Sequence, residues 1–125
     1  MALRRAVLTG VYLALAALAC ARHRPVADAV PPEWSLTLEN HHWLDIEVHL
    51  DHGGQRTRVG VVTAATTQSF VLSTLLLGPG GEVELIATPI GGGQRISTGL
   101  FTLSGGHSVV WTLERVLSQS SLAVH

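Results

Sequence analysis

The sequence predicts an all-β domain, a small antiparallel β-sandwich of about seven or eight strands behind a cleaved signal peptide. Three observations predict it. From Trp34 onward, apolar residues recur with period two over short runs. Glycine-rich turn signals separate the runs at intervals of roughly eight to twelve residues, the spacing of sandwiches and barrels. No later segment carries the longer apolar period of a helix. With 46% apolar and 14% charged residues in 125, the chain has the composition of a folded domain and not of a disordered one.

The N-terminus is read separately. Residues 1–5 (MALRR) are short and positive, and residues 6–19 (AVLTGVYLALAALA) are apolar and uncharged. A bilayer core of roughly 30 Å needs about 20 residues of helix, so the stretch is too short to span. It has the length of the apolar region of an export signal. The one cysteine of the chain, Cys20, follows directly after Ala17-Leu18-Ala19. This arrangement resembles the lipobox of bacterial lipoproteins, with Ala17 where leucine is commoner. The resemblance implies cleavage after residue 19, acylation of Cys20 and anchoring through the attached lipid, palmitate included. Ala21 in place of Asp after the cysteine implies the outer membrane, with the domain facing the periplasm or the surface. Two or more acyl chains hold a protein stably where one is marginal. The alternative is an ordinary signal peptide cut near Ala19 that leaves Cys20 a free thiol.

Residues 20–33 are expected to be the lipidated cysteine and a Pro-rich tether, with Pro25, Pro31 and Pro32 favouring extended chain. The tether proper, residues 21–33, reaches at most roughly 43 Å at about 3.3 Å for each of its thirteen residues. The sandwich is expected over residues 34–125.

Within it, Trp34, Leu36 and Leu38 alternate with polar residues, as do Ile46, Val48 and Leu50. Gly53-Gly54 then reads as a two-residue hairpin loop, in which both central residues need positive φ. That loop would set Asp51 opposite Arg56, His49 opposite Arg58, Val48 opposite Val59 and Ile46 opposite Val61. Residues 67–73 and 82–88 read as strands. Leu75-Leu76-Leu77 between them reads as a crossover closing one end of the core through a single helical turn. Gly91-Gly92-Gly93 leads into a strand over 95–103. Gly105-Gly106, taken as a second two-residue loop, would pair Leu100 with Trp111, Thr98 with Leu113 and Thr102 with Val109. Leu122 and Val124 are placed to add a short edge strand. Trp34, Trp111 and Phe70 are expected in the core, and Trp43 outside it. The resulting shape is Ig-like or transthyretin-like.

Asn40 with Asp45 and Val48, the run from Gly53 to Gly60 (GGQRTRVG) and Pro89 to Gly92 (PIGG) together resemble a set of short exported all-β bacterial lipoproteins. No activity is attached to that set, so the resemblance implies no functional residue.

Several chemistries are excluded or disfavoured. The basic residues are eight arginines and no lysine, and beyond residue 20 six Arg face nine Asp plus Glu, a formal −3. Nucleic-acid binding needs the opposite balance. A single cysteine allows neither an internal disulfide nor a cysteine-cluster metal site, and a blue-copper centre would need that cysteine. The glycine loops lack the lysine and helix of a phosphate-binding loop. Ser104, His107 and Ser108 are close in sequence, but no nucleophile elbow surrounds them. His41, His42, His49 and His52 are interleaved with Asp45, Glu47 and Asp51. Of these, His49, Asp51 and His52 form a weak candidate site for Zn or Cu. Arg56 and Arg58 opposite them would repel a cation. His41 and His42 should lie about 30 Å from His52, at the other end of a strand of roughly nine residues.

The sequence therefore leads to a non-enzymatic, membrane-anchored lipoprotein, a binding or accessory module of the cell envelope without cofactor or small-molecule substrate. Its expected partners are the membrane, through the lipid, and an envelope protein. A periplasmic metal-binding lipoprotein is the alternative. A carbohydrate-binding module would rest on Trp43 alone.

Overall fold

The computed structural model describes residues 30–125, so the signal peptide, Cys20 and the tether up to residue 29 lie outside the described residues. A compact unit spans Pro31–His125. Its strands are β1 (Glu33–Asn40), β2 (Ile46–His52), β3 (Gln55–Val62), β4 (Thr67–Ser73), β5 (Glu82–Pro89), β6 (Ile96–Ser97), β7 (Phe101–Thr102), β8 (Ser108–Leu113) and β9 (Ser121–Val124). They form a four-stranded sheet, β4-β1-β8-β9, and a five-stranded sheet, β3-β2-β5-β6 with β7 also on β5. This is the expected β-sandwich.

Period-two alternation decides what lies between the sheets. From one side come Trp34, Leu36, Leu38, Val109, Trp111 and Leu113; from the other come Ile46, Val48, Leu50, Val62, Val83, Leu85 and Ala87, all buried. Each valine, leucine or isoleucine side chain removed from water contributes on the order of 1.5–3 kcal/mol. Trp34 also donates its indole N–H to the Ser73 carbonyl at 3.3 Å, which satisfies its polar edge. Trp43 stands outside, as expected. The three leucines at 75–77 behave as expected too. A 3-10 turn over Thr74–Leu76, capped by the Ser73 hydroxyl, packs Leu76 and Leu77 on the core and leaves Leu75 exposed. The tail forms β9 and pairs with β8, Leu122 opposite Trp111.

The first hairpin forms at the predicted loop. Gly53 and Gly54 have φ of 53° and 78°, the left-handed values that glycine adopts without steric cost. Asp51 faces Arg56 and His49 faces Arg58 as expected, but the register then shifts between Val48 and His49. Val48 lies opposite Gly60 and Ile46 opposite Val62, so the expected Val48–Val59 and Ile46–Val61 pairs do not form. Val59 is the extra residue of a β-bulge, which turns Val62 instead of Val61 into the core. Gly60 then lies under the Phe70 ring, which a Cβ there would approach to 3.0 Å. Counting in twos cannot register an inserted residue.

The second predicted hairpin is absent. β8 pairs with β1 and β9, whereas β7 pairs with β5 in the other sheet. Leu100 therefore does not meet Trp111 and is exposed. Of the two loop glycines only the second, Gly106, has positive φ, 86°, whereas both primed two-residue turns need it at the first. Gly105 serves close packing instead: a Cβ there would come within 2.7 Å of the Pro32 ring. Because the chain changes sheets here, β8 arrives beside β1 running parallel to it, the geometry that only a crossover permits. The strand expected over 95–103 is split into β6 and β7. At the break, Gly99 has φ of 73°, and the Thr98 hydroxyl accepts from the Leu85 N–H at 3.0 Å in place of a backbone carbonyl.

Candidate functional site

The end of the sandwich reached by β1 is organised by one buried side chain. Asn40 is the last inward residue of β1 and has no exposed surface. Its amide nitrogen donates to the carbonyls of Leu44 and Val62, each at 3.1 Å, and of Thr63 at 3.3 Å. Its oxygen accepts from the His42 N–H at 2.9 Å. One amide thereby ties the loop after β1 to the end of β3. Further bonds join the other loops to it. Ala64 N–H donates to the Asp45 carboxylate at 2.9 Å, Ile90 N–H to the Asp45 carbonyl at 2.8 Å, and His41 N–H to the Leu113 carbonyl at 2.8 Å. The Pro89–Gly92 stretch, far from Asn40 and Asp45 in sequence, meets them at this end.

What the frame holds outward is apolar. Trp43 is 68% exposed, Val116 56% and Ile90 48%. The Trp43 ring leans on His42 with centroids 4.8 Å apart. Beside them is a cleft of about 260 Å³ lined by His42, Gln94, Ile96, Arg115, Leu117 and Ser118 among others. His42 is buried, and its Nδ1 accepts from the Leu44 N–H at 3.1 Å. The neutral ring accordingly carries its proton on Nε2, as a donor. The cleft thus combines hydrogen-bond donors and a guanidinium with an apolar floor, and no carboxylate lines it. Aromatic and aliphatic side chains on rigid loops, next to a polar notch, are what a protein-contact surface needs.

The residues singled out from the sequence for metal do not converge. Glu47, His49 and Asp51 alternate with the inward Val48, Leu50 and His52, so His49 and Asp51 share the outer face while His52 turns to the inner one. His52 Nε2 is hydrogen-bonded to the Thr57 hydroxyl at 2.9 Å. Asp51 is held by Arg56 in a two-pronged pair at 2.7 and 2.9 Å. His49 Nε2 lies 3.3 Å from Glu47, whose other oxygen accepts from Arg58 at 3.3 Å. The Arg56 hydrogen bond, reinforced by its charge, lowers the Asp51 carboxyl below its usual 3.8 despite the opposing effect of burial. Among the described residues, no group of three His, Cys, Asp or Glu is placed to hold a metal ion.

The serines and histidine at 104–108 are engaged structurally. His107 Nδ1 accepts from the Ser104 backbone N–H at 3.0 Å, which closes a turn, and the Ser108 hydroxyl bonds that of Ser35 at 3.0 Å. At the opposite end of the sandwich, a second cleft of about 310 Å³ is bordered by Asp51, Gly53, Pro79, Glu82, Glu84 and Leu100 among others.

Sequence reasoning did not find the pinning role of Asn40 or the burial of His42. A signal for Asn40 existed: counting inward from Trp34 through Leu36 and Leu38 lands on it. The same parity from Ile46 lands on His52 and separates it from His49 and Asp51.

No protein-family model matches the chain, and no curated protein matches it. Among solved structures, it is similar to the NMR structure of a protein from Eubacterium rectale. The two share 13% identity over 81% of this chain and 93% of the other, with a TM-score of 0.46.

Proposed function

We propose that the protein is a non-catalytic binding module of the bacterial cell envelope, held to the outer membrane by a lipid on Cys20. It contacts an envelope protein through the loop end that carries Trp43, Ile90 and Val116. The observation that carries this reading is that outward-facing trio, with the loops of Trp43 and Ile90 tied through Asn40 and Asp45 and that of Val116 joined through the His41 N–H to the Leu113 carbonyl. A folded protein gains nothing in core stability from a tryptophan left in water, whereas tryptophan dominates the energetics of many protein interfaces. The frame fixes these side chains before any partner arrives, which lowers the ordering cost of binding. The anchoring half of the proposal is supported by the basic start, the uncharged apolar stretch and the cysteine directly after it.

The test has two parts. Cys20→Ser in the full chain moves the protein from the membrane to the soluble fraction; persistence at the membrane refutes anchoring. Photo-cross-linking from position 43 in intact cells traps a discrete envelope protein, and Trp43→Ala abolishes co-purification of that protein while leaving the melting temperature unchanged. An intact complex in Trp43→Ala refutes the assignment of the loop end.

A further inference from the structure

A sheet edge is a row of unpaired backbone donors and acceptors, and soluble proteins block it with charge, proline, bulges or brevity. Three of the four edges in this sandwich are blocked in these ways. β3 carries Arg56, Arg58 and the bulge at Val59. The edge made by β6 and β7 consists of two-residue pieces. β9 is four residues long. β4 is different: seven residues, TQSFVLS, without charge, proline or glycine, in unbroken register with β1 from Ser73 to Thr67. Nothing among the described residues pairs with its other side.

We infer that β4 pairs with β4 of a second copy of this chain, antiparallel about a two-fold axis through Phe70, to join two four-stranded sheets into one. The strand is built to match itself. Centred on Phe70, the pairing sets Thr67 against Ser73 of the second copy, Ser69 against Val71, Gln68 against Leu72 and Phe70 against Phe70. No like charges meet at any rung, because the strand has none. Side-chain parity is preserved as well, since directly opposed residues in an antiparallel pair point to the same face. Val71, 69% exposed in the single chain, gains a neighbour. The rung Thr37–Ser69, joined at 2.9 Å, would be followed across the axis by Val71 of the second copy, which covers the Ser69 side chain. The edge offers no charge by which a charged segment could be recognised, while a second copy presents the same neutral, uninterrupted seven-residue strand, which is why the copy is the occupant assigned.

Sedimentation equilibrium on the full chain in density-matched mild detergent tests the pairing. Wild type and Ser121→Lys, a charge on the β9 edge, sediment at twice the chain mass. Val71→Lys, which brings two ammonium groups close to the axis, sediments at the chain mass with an unchanged circular dichroism spectrum. A monomeric wild type overturns the inference, and so does a dimer that survives Val71→Lys. Should Val71→Lys perturb β4 itself, hydrogen exchange on wild type decides the matter. Dilution increases exchange of the β4 amides if the edge is paired, and protection that does not change with concentration overturns the pairing.

Discussion

Removing the Asn40 amide tests the frame on which the loop end depends. Asn40→Ala eliminates two N–H donors and one acceptor, which together serve the carbonyls of Leu44, Val62 and Thr63 and the His42 N–H. An intramolecular hydrogen bond contributes about 1 kcal/mol net, and each buried partner left unsatisfied costs about 1–3 kcal/mol. Two of these contacts, to Val62 and from His42, are in buried surroundings. The expected loss is therefore roughly 3–5 kcal/mol. At about 4–8 °C per kcal/mol for a domain of this size, even the lower figure moves the melting temperature by roughly 12–24 °C. Asn40→Asp is the sharper variant, because it puts an anionic oxygen where three carbonyl oxygens expect a donor. Its penalty at neutral pH exceeds that of alanine and shrinks on acidification, as the carboxyl takes up a proton. Urea unfolding followed by tryptophan fluorescence, with Trp34 and Trp111 as core reporters, measures both variants. A loss below about 1 kcal/mol for Asn40→Ala would mean that water replaces the amide and that the frame does not depend on it.

Three further outcomes follow from the geometry. Gly81 has φ of 79°, and a Cβ there would overlap the Leu103 carbonyl oxygen. Gly81→Ala should therefore cost well beyond the roughly 1–2 kcal/mol of left-handed backbone alone. Gly54→Ala, with φ of 78° and open space around it, should cost only that backbone term, and equal losses in thermal melts would refute the packing argument. Because the Asp51 carboxyl is lowered when folded, its pairing with Arg56 contributes stability above pH 3.8, and this is lost as pH falls below that value through the folded pKa. Asp51→Asn should thus flatten the acid limb of the stability curve slightly, since the pair is half-exposed; an unchanged limb would show that the pair contributes nothing. Finally, with Asp51 held by Arg56 and His52 by Thr57, added Zn²⁺ should leave the melting temperature where it is. A rise that disappears in His49→Ala would overturn that reading.

Much of the fold was legible because alternation, turn glycines and strand length are local properties. A residue pattern such as Ile46–Val48–Leu50 specifies its own inner face, whatever sheet it joins. The Gly53-Gly54 turn is local too, since its two positive φ angles are met by two adjacent glycines. What escaped was every feature set by a distant partner. The bulge at Val59 places Gly60 under the Phe70 ring of the next strand, a contact that alternation along β3 does not announce. Gly105 is a turn glycine as read, but its turn joins two sheets and not two paired strands, and it also lets Pro32 approach.

The candidate site divides along the same line. The amino-acid order alone determined the all-β class, the inward parity that buries Asn40 and His52, and the basic, apolar and cysteine-bearing start from which an anchor is proposed. Only the tertiary structure decided that the chain crosses sheets after Leu103, that β8 lies parallel to β1, and that Trp43, Ile90 and Val116 share one end. The physical reason is that strand formation is governed by neighbours one and two residues away. Sheet order and loop convergence are governed by contacts between residues far apart in sequence, such as the β1–β8 pairing and the bond from the Asn40 amide to Val62.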